Sequence, residues 1–177
     1  MFPERILKAL REVVPHGPTL DPFGGVGGLA RLGPQWDVTC LGIEREWVDE
    51  ATARGVRAVH GDATAMPWPD ASWGCVCTSP AFGNRQADAY APADVDTPAG
   101  RRSHATRSTY RLALGHALDP RNGGAMHFGR DGTYERLHRA AAKEIARVLR
   151  PDGLLALDIK DFSRAGVRMR VTDFWIE

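Results

Sequence analysis

The sequence contains little that would direct the chain to a membrane or to secretion. No apolar stretch in its 177 residues is long enough to span a bilayer. The first five residues, MFPER, lack the charged and then apolar pattern of a secretory signal. We therefore expect a cytoplasmic protein that has no membrane partner.

Cysteine is also scarce. Three cysteines, Cys40, Cys75 and Cys77, lie in apolar, strand-like runs, and an odd count argues against a disulfide framework. Cys75 and Cys77 would share one face of a strand, which permits a metal or redox pair. No matching pair of ligands occurs elsewhere in the chain, so we favour small buried side chains and predict no metal site.

The net charge of +1 excludes a polycation, but the charge is unevenly distributed. Residues 97–130 contain six arginines and one acid, which gives +5 locally and −4 for the rest of the chain. Such a segment suits contact with a polyanion, and it also suits a solvated loop. Composition alone leaves both interpretations open.

The length and the 43% of hydrophobic residues suit one globular domain, and we assign residues 1–177 to it. Apolar periodicity predicts an alternation of short strands and helices, which is typical of a parallel sheet with helices on both faces. Ligands of such sheets bind beyond the carboxyl ends of the strands. The predicted elements are helices at 3–14, 26–32 and 47–54, a helix from Tyr134 that ends at Arg150-Pro151-Asp152-Gly153, strands at 19–21, 36–43, 56–60, 73–78 and 154–159, and a helix that begins at Val171.

Residues 84–132 interrupt this alternation and form an arginine-rich insertion. They are rich in Gly, Pro, Ala, Asp and Arg and show little apolar periodicity. A loop of this length within a compact domain is usually functional or disordered.

A glycine loop follows the first predicted strand, in the sequence DPFGGVGG at 21–28. Its glycines allow close approach of the backbone to a ligand, and the helix that follows offers free N–H groups. These groups suit the phosphates of a dinucleotide or the methionine carboxylate of S-adenosylmethionine, and the pattern alone does not decide between them.

Two acids end the next two strands. Glu44 lies about twenty residues after the glycine loop, where an acid accepts hydrogen bonds from ribose hydroxyls. Its alternative role is a favourable charge at a helix N-terminus, and Glu46 is a neighbouring alternative for the ribose. Asp62 is placed to accept the amino group of adenine, or it is simply a turn residue.

A second motif, TSPAFGNR at 78–85, ends the fourth strand. It combines a hydroxyl, a proline carbonyl and an aromatic ring where a planar amine could be held. The alternative is a plain exit from a strand into a turn, where Ser-Pro is common.

Together these segments resemble the S-adenosylmethionine-dependent amino-methyltransferases that modify exocyclic nitrogens of DNA bases, and in particular phage and actinobacterial DNA methylases. The resemblance rests on DPFGGVG at 21–27, GIE at 42–44, GDA at 61–63, TSPAFG at 78–83, STYRLALG at 108–115 and NGGAM at 122–126. It implies a Rossmann-like class I methyltransferase sheet, S-adenosylmethionine as the cofactor and duplex DNA with a flipped base as the partner. The implied cofactor-binding residues are Asp21, Phe23, Gly24, Gly25, Gly27, Glu44, Asp62 and Ala63, with Asp21 towards the methionine amino group.

The implied catalytic residues are Ser79, Pro80 and Phe82. The amine of a base is a poor nucleophile because its lone pair is delocalised into the ring. A hydroxyl and a backbone carbonyl that accept its two hydrogens favour a tetrahedral nitrogen in line with the methyl group. Phe82 would stack on the flipped base. Ser79 at the first position of the motif favours cytosine N4 over adenine N6 in this family, and Ala81 replaces the usual second proline, which loosens the loop.

Arginines that follow the second motif are predicted to contact nucleic-acid phosphates. They are Arg85, Arg101, Arg102, Arg107 and Arg111. The fold class usually has seven strands and only five are predicted here, so we expect the C-terminal strand hairpin to be lacking. An RNA or protein amide substrate, or a shortened non-catalytic module that binds cofactor or nucleic acid, are the alternatives.

Overall fold

The computed structural model describes residues 2–81, 83, 114 and 116–177, and all structural statements concern these residues. These ranges contain four complete α-helices and seven strands. The helices are α1 (Glu4–Val13), α2 (Arg45–Ala53), α3 (Thr133–Val148) and α4 (Val171–Ile176). The strands are β1 (Gly17–Asp21), β2 (Trp36–Gly42), β3 (Arg57–His60), β4 (Trp73–Thr78), β5 (Leu149–Leu157), β6 (Phe162–Arg164) and β7 (Val167–Met169).

Five of the strands form one parallel sheet in the order β3-β2-β1-β4-β5. The chain runs from the central β1 outward through β2 and β3, and then returns to the other side of β1 as β4. This reversal creates a crevice at the carboxyl ends of β1 and β4, which is where open parallel sheets bind their ligands. The predicted fold class, including the parallel sheet, is confirmed.

Helices cover both faces of this sheet. On one face, Leu7 and Leu10 of α1 pack with the three cysteines in a buried cluster. On the other face, Ile145 and Val148 of α3 pack against Val76 of β4. The cysteines are free thiols in the core, as predicted, and burial raises the pKa of each thiol.

Several element boundaries differ from the prediction by one or two residues, and two elements differ in type or by more than that. The predicted helix at 26–32 is a short 3₁₀ helix, Gly28–Leu32, preceded by Gly27 in the left-handed region. Strand β5 begins directly after α3, earlier than predicted. Its pairing with β4 shifts register between the Trp73–Leu149 and Cys75–Leu154 pairs, so the residues Pro151–Gly153 are accommodated within the strand. Hydrophobic periodicity predicted the core residues of both segments, but backbone geometry set their ends.

A short antiparallel hairpin, β6–β7, follows β5 and was not predicted. It forms a separate two-stranded sheet and does not extend the main one. Within the described ranges, no helix is both long and apolar enough to cross a membrane.

Candidate functional site

The predicted motifs meet at one cavity of about 760 Å³ at the carboxyl ends of the strands. The glycine loop after β1 lines one side, and the loop after β4 lines another. Predicted site residues on the cavity wall are Phe23, Gly24, Gly25, Asp62, Ala63, Ser79 and Pro80. Asp21, Gly27 and Glu44 lie behind this wall and do not line the cavity.

Gly24 holds the glycine loop against β2. A Cβ at this position would lie 2.5 Å from Cβ of Cys40, so no larger residue fits without a shift of the backbone. The Gly24 N–H also donates to the Leu41 carbonyl (3.0 Å). Gly25 and Gly27 have φ values of 51° and 78°, which favour glycine. The loop thus needs its glycines for packing and for backbone conformation.

The N–H groups of the loop are only partly available to a ligand. The Gly24 N–H donates to the Leu41 carbonyl, and the Gly27 N–H donates to the Gly24 carbonyl (2.8 Å). The expected helix start inside the loop is replaced by the 3₁₀ turn from Gly28. The amides of Gly25 and Val26, both on the cavity wall, are therefore the candidates for a carboxylate or phosphate.

Asp21 is a buried carboxylate at the end of β1, with 1% of its surface exposed. Its Oδ1 accepts hydrogen bonds from the Thr78 hydroxyl (2.6 Å) and from the Phe23 N–H (3.2 Å). Burial raises the pKa of Asp21 to about 6, and the two hydrogen bonds oppose this shift. The carboxylate thus ties the glycine loop to the strand that carries the second motif.

Glu44 follows β2 and is also buried, with 5% exposed. It occupies the N-cap position of α2, but its side chain makes no capping hydrogen bond. Instead, Oε1 accepts the Asp119 N–H (2.9 Å) and the Asn122 side-chain amide (2.8 Å). Glu44 therefore fastens a part of the insertion over the strand ends, a contact that sequence reasoning missed.

Further contacts hold the same segment, residues 116–125. Arg121 lies 3.6 Å from the Asp62 carboxylate, and His116 Nε2 lies 2.9 Å from Glu46 Oε1. Asp62 also accepts hydrogen bonds from the backbone and hydroxyl of Thr64 (2.8 and 2.7 Å), as a turn residue does. Glu46 thus pairs with the insertion, and Asp62 shapes its own turn while facing the cavity.

The loop after β4 is fixed by groups from α3 and its neighbours. The Tyr134 hydroxyl donates to the Ala81 carbonyl (2.6 Å), and Phe128 N–H donates to the Gly83 carbonyl (2.9 Å). The Ser79 hydroxyl makes no hydrogen bond within the described part of the chain and lines the cavity. The loop that Ala81 was expected to loosen is thus held by Tyr134.

His138 is a buried residue behind this loop that sequence reasoning also missed. Its Nδ1 lies 2.8 Å from the Tyr134 carbonyl, and its ring stacks on Phe23 at 5.4 Å. Burial lowers its pKa to about 4, so the ring is neutral at physiological pH. A Cβ on Gly123 would lie 2.8 Å from the ring, so only glycine allows the insertion to pack here.

Several predicted residues lie outside the described part of the chain. These are Phe82, Arg85, Arg101, Arg102, Arg107 and Arg111. Their roles remain predictions. Across the described ranges, no group of three or more His, Cys, Asp or Glu side chains is arranged to hold a metal ion.

No protein-family model matches the chain, and no curated protein matches it. Solved structures do match. One is the YcgJ protein from Bacillus subtilis, with a TM-score of 0.51, 18% identity, and coverage of 88% of this chain and 50% of that chain. Another is the [4+2]-cyclase SpnF, with a TM-score of 0.50, 18% identity, and coverage of 87% and 43%.

A third match is an S-adenosylmethionine-dependent methyltransferase from Thermotoga maritima, with a TM-score of 0.47, 17% identity, and coverage of 85% of this chain and 48% of that chain. The chain therefore spans about half the length of the solved chains it matches. At these identities the comparison concerns the fold. The strand order, the helices on both faces and the matches to YcgJ and SpnF together show that the chain has a Rossmann-like α/β fold.

Proposed function

We propose that the chain is an S-adenosylmethionine-dependent methyltransferase that acts on an exocyclic amino group of a DNA base, with cytosine N4 favoured over adenine N6. One observation carries the proposal. The glycine loop after β1 and Ser79-Pro80-Ala81 after β4 line the same cavity, although more than fifty residues separate them in the sequence. A methyl donor and an amine acceptor need such an arrangement, because their reacting atoms must meet in line.

The cavity suits S-adenosylmethionine in size and in chemistry. Its volume of about 760 Å³ falls in the range of small-molecule sites. The amides of Gly25 and Val26 would hold the methionine carboxylate, and Asp62 with Ala63 would face the adenine. We assign the ribose hydroxyls to Glu44, whose carboxylate lies directly behind Asn122 of the cavity wall and accepts its amide at 2.8 Å. The bound cofactor supplies an electrophilic methyl group on a sulfonium.

Ser79 and Pro80 are the groups proposed to act on the amine. The Ser79 hydroxyl and the Pro80 carbonyl would accept the two amine hydrogens, which directs the nitrogen lone pair towards the methyl group. Ser79 faces the cavity with an oxygen that no other described residue engages. The hydroxyl is therefore available to a substrate without the loss of an internal hydrogen bond.

Tyr134 supports this geometry. In the related motif a second proline stiffens the loop, whereas here Ala81 takes that place. The hydrogen bond from the Tyr134 hydroxyl fixes the Ala81 carbonyl instead. Because this bond is partly buried and contributes on the order of 1 kcal/mol, it offsets part of the freedom that alanine introduces.

The proposal is tested by incubation with methyl-labelled S-adenosylmethionine and duplex DNA, RNA or protein in parallel. We expect label in DNA, and digestion to nucleosides identifies N4-methylcytosine or N6-methyladenine. Ser79→Ala should abolish most of the label. Ser72→Ala is the matched control, because Ser72 hydrogen-bonds the Pro69 carbonyl at a surface outside the cavity wall.

Label in protein or RNA with none in DNA would overturn the substrate, and the methyltransferase activity would remain. Failure to bind S-adenosylmethionine would overturn the proposal as a whole.

A further inference from the structure

The β6–β7 hairpin lies beside the proposed catalytic loop. Its two-residue turn, Ala165-Gly166, has φ values of 48° and 79°, which are those of a tight hairpin turn. The Arg164 guanidinium donates to the carbonyl of Gly83, a residue of the second motif (3.2 Å). The hairpin thus contacts the loop after β4 directly, although none of its described residues lines the cavity wall.

The hairpin has one packed face and one exposed face. Phe162 pairs with Met169, and both are half-buried, with the Met169 side chain close to Gly129. Ser163 pairs with Arg168, and both are exposed. Since paired residues share a face and successive residues alternate, the hairpin turns its apolar side to the protein and a basic side to solvent.

Exposed arginines lie on and next to the hairpin. Residues 160–170 contain four cations and one acid, and Arg170 pairs with a second acid just beyond them, Asp173, at 2.7 Å. The side chains of Arg168 and Arg170 are 76% and 69% exposed. We call the exposed side chains of Ser163, Arg168 and Arg170 the hairpin face.

Ion pairs orient these arginines without removing them from solvent. Arg168 Nε and Nη2 both contact Asp161 Oδ2 (3.0 and 2.9 Å), and Asp161 is anchored by the Thr172 backbone and hydroxyl. Exposed ion pairs of this kind contribute little free energy, and a guanidinium has five donors. The remaining donors of Arg168 can therefore engage a phosphate while the Asp161 contact fixes the direction of the side chain.

We propose that the hairpin face binds the phosphate backbone of duplex DNA next to the nucleotide that enters the cavity. The proposal rests on the proposed function and names a surface distinct from the arginines of residues 85–111. Position and chemistry carry it: Arg164 joins the hairpin to the loop proposed to hold the target amine, and the guanidinium groups of Arg168 and Arg170 stay exposed in their ion pairs. Arginine is well suited to phosphate, because its planar fork makes bidentate contacts.

The test compares two double variants in DNA binding at several salt concentrations. Arg168→Gln with Arg170→Gln removes two charges from the hairpin face. Arg54→Gln with Arg57→Gln is the control, because these arginines are also exposed and ion-paired but lie at the opposite end of the strands. We expect the hairpin variant alone to bind duplex DNA roughly tenfold more weakly at low salt, with the slope of log affinity against log salt flattened by about two units.

A third variant, Arg168→Lys with Arg170→Lys, keeps the charge and should retain most of the salt slope, which separates an electrostatic role from a structural one. Thermal melting and cofactor affinity should match the parent in all three. An unchanged slope in the hairpin variant, an equal loss in the control, or a loss seen only with RNA would overturn the assignment of this face to DNA. If the parent still methylates DNA in any of these cases, the proposed function stands and only the role of the hairpin face is lost. A parent that neither binds nor methylates DNA would overturn both the proposed function and the role of the hairpin face.

Discussion

Asp21→Asn should remove a loss of stability that the parent undergoes as the pH rises towards neutral. Burial raises the pKa of Asp21 from 3.8 to about 6, so the folded state holds a proton more tightly than the unfolded state. The stabilisation from this proton is complete below pH 3.8 and is lost as the pH rises to 6. A difference of about two pKa units corresponds to about 3 kcal/mol, which is the cost of an ionised Asp21 at pH 7.

Asparagine has nearly the same shape and can still accept hydrogen bonds from the Thr78 hydroxyl and the Phe23 N–H. Its amide group also needs an acceptor, and a missing one would cost about 1–3 kcal/mol at every pH. The change with pH is therefore the decisive quantity. We expect the difference in the free energy of unfolding, variant minus parent, to increase by about 2 kcal/mol between pH 4.5 and pH 7.5.

Urea unfolding followed by circular dichroism measures this difference at each pH. Asp49→Asn removes an equal charge from an exposed position on α2 and controls for the change in net charge. A difference between Asp21→Asn and the parent that stays constant across this pH range would refute the argument from burial. Cofactor binding gives a second readout: a cationic amino group beside Asp21 would make the affinity of the parent rise with pH through 6, and the variant would lose this dependence.

Four further substitutions test the site. Glu44→Ala should weaken S-adenosylmethionine binding by about 1–3 kcal/mol through lost charge-assisted hydrogen bonds, and calorimetry that shows unchanged affinity in a folded variant would remove the ribose role. Ser79→Ala should lower methyl transfer while cofactor affinity stays nearly intact, and full turnover would exclude the hydroxyl from the mechanism. Tyr134→Phe removes the hydrogen bond to the Ala81 carbonyl in the loop after β4. We expect a lower kcat and a free energy of unfolding that is lower by about 1 kcal/mol. An unchanged kcat would contradict the positioning role of Tyr134. Gly24→Ala should destabilise the fold by about 1–3 kcal/mol in urea unfolding, because the new methyl group would meet Cys40, and a stable variant would show that the loop can shift at little cost.

Much of the site could be predicted because its parts are local in sequence. The strand β4 was predicted with its observed bounds, and the start of α3 within one residue, since each has a long apolar pattern of one period. A residue that ends a parallel strand must lie near the other strand ends, so the positions of Asp62 and Ser79 on one cavity followed from the motifs.

Other features depend on contacts between distant residues. The Asn122 amide meets Glu44 across 78 positions, and Tyr134 meets Ala81 across 53. Asn122 was visible only as part of a resemblance, and Tyr134 only as one residue of a helical stripe. Periodicity assigns a side chain to a face, but it does not identify the atom that the side chain contacts.

The sequence by itself determined the order of strands and helices, the glycine loop and the motif after β4, because these depend on local periodicity and on residues such as glycine whose backbone preferences are intrinsic. Only the tertiary structure decided that Glu44 fastens residues 119–122, that the Tyr134 hydroxyl holds the Ala81 carbonyl, and that the β6–β7 hairpin contacts the loop after β4. These features arise when the sheet brings distant segments together, since a hydrogen bond depends on distances of a few tenths of an ångström that no linear pattern specifies.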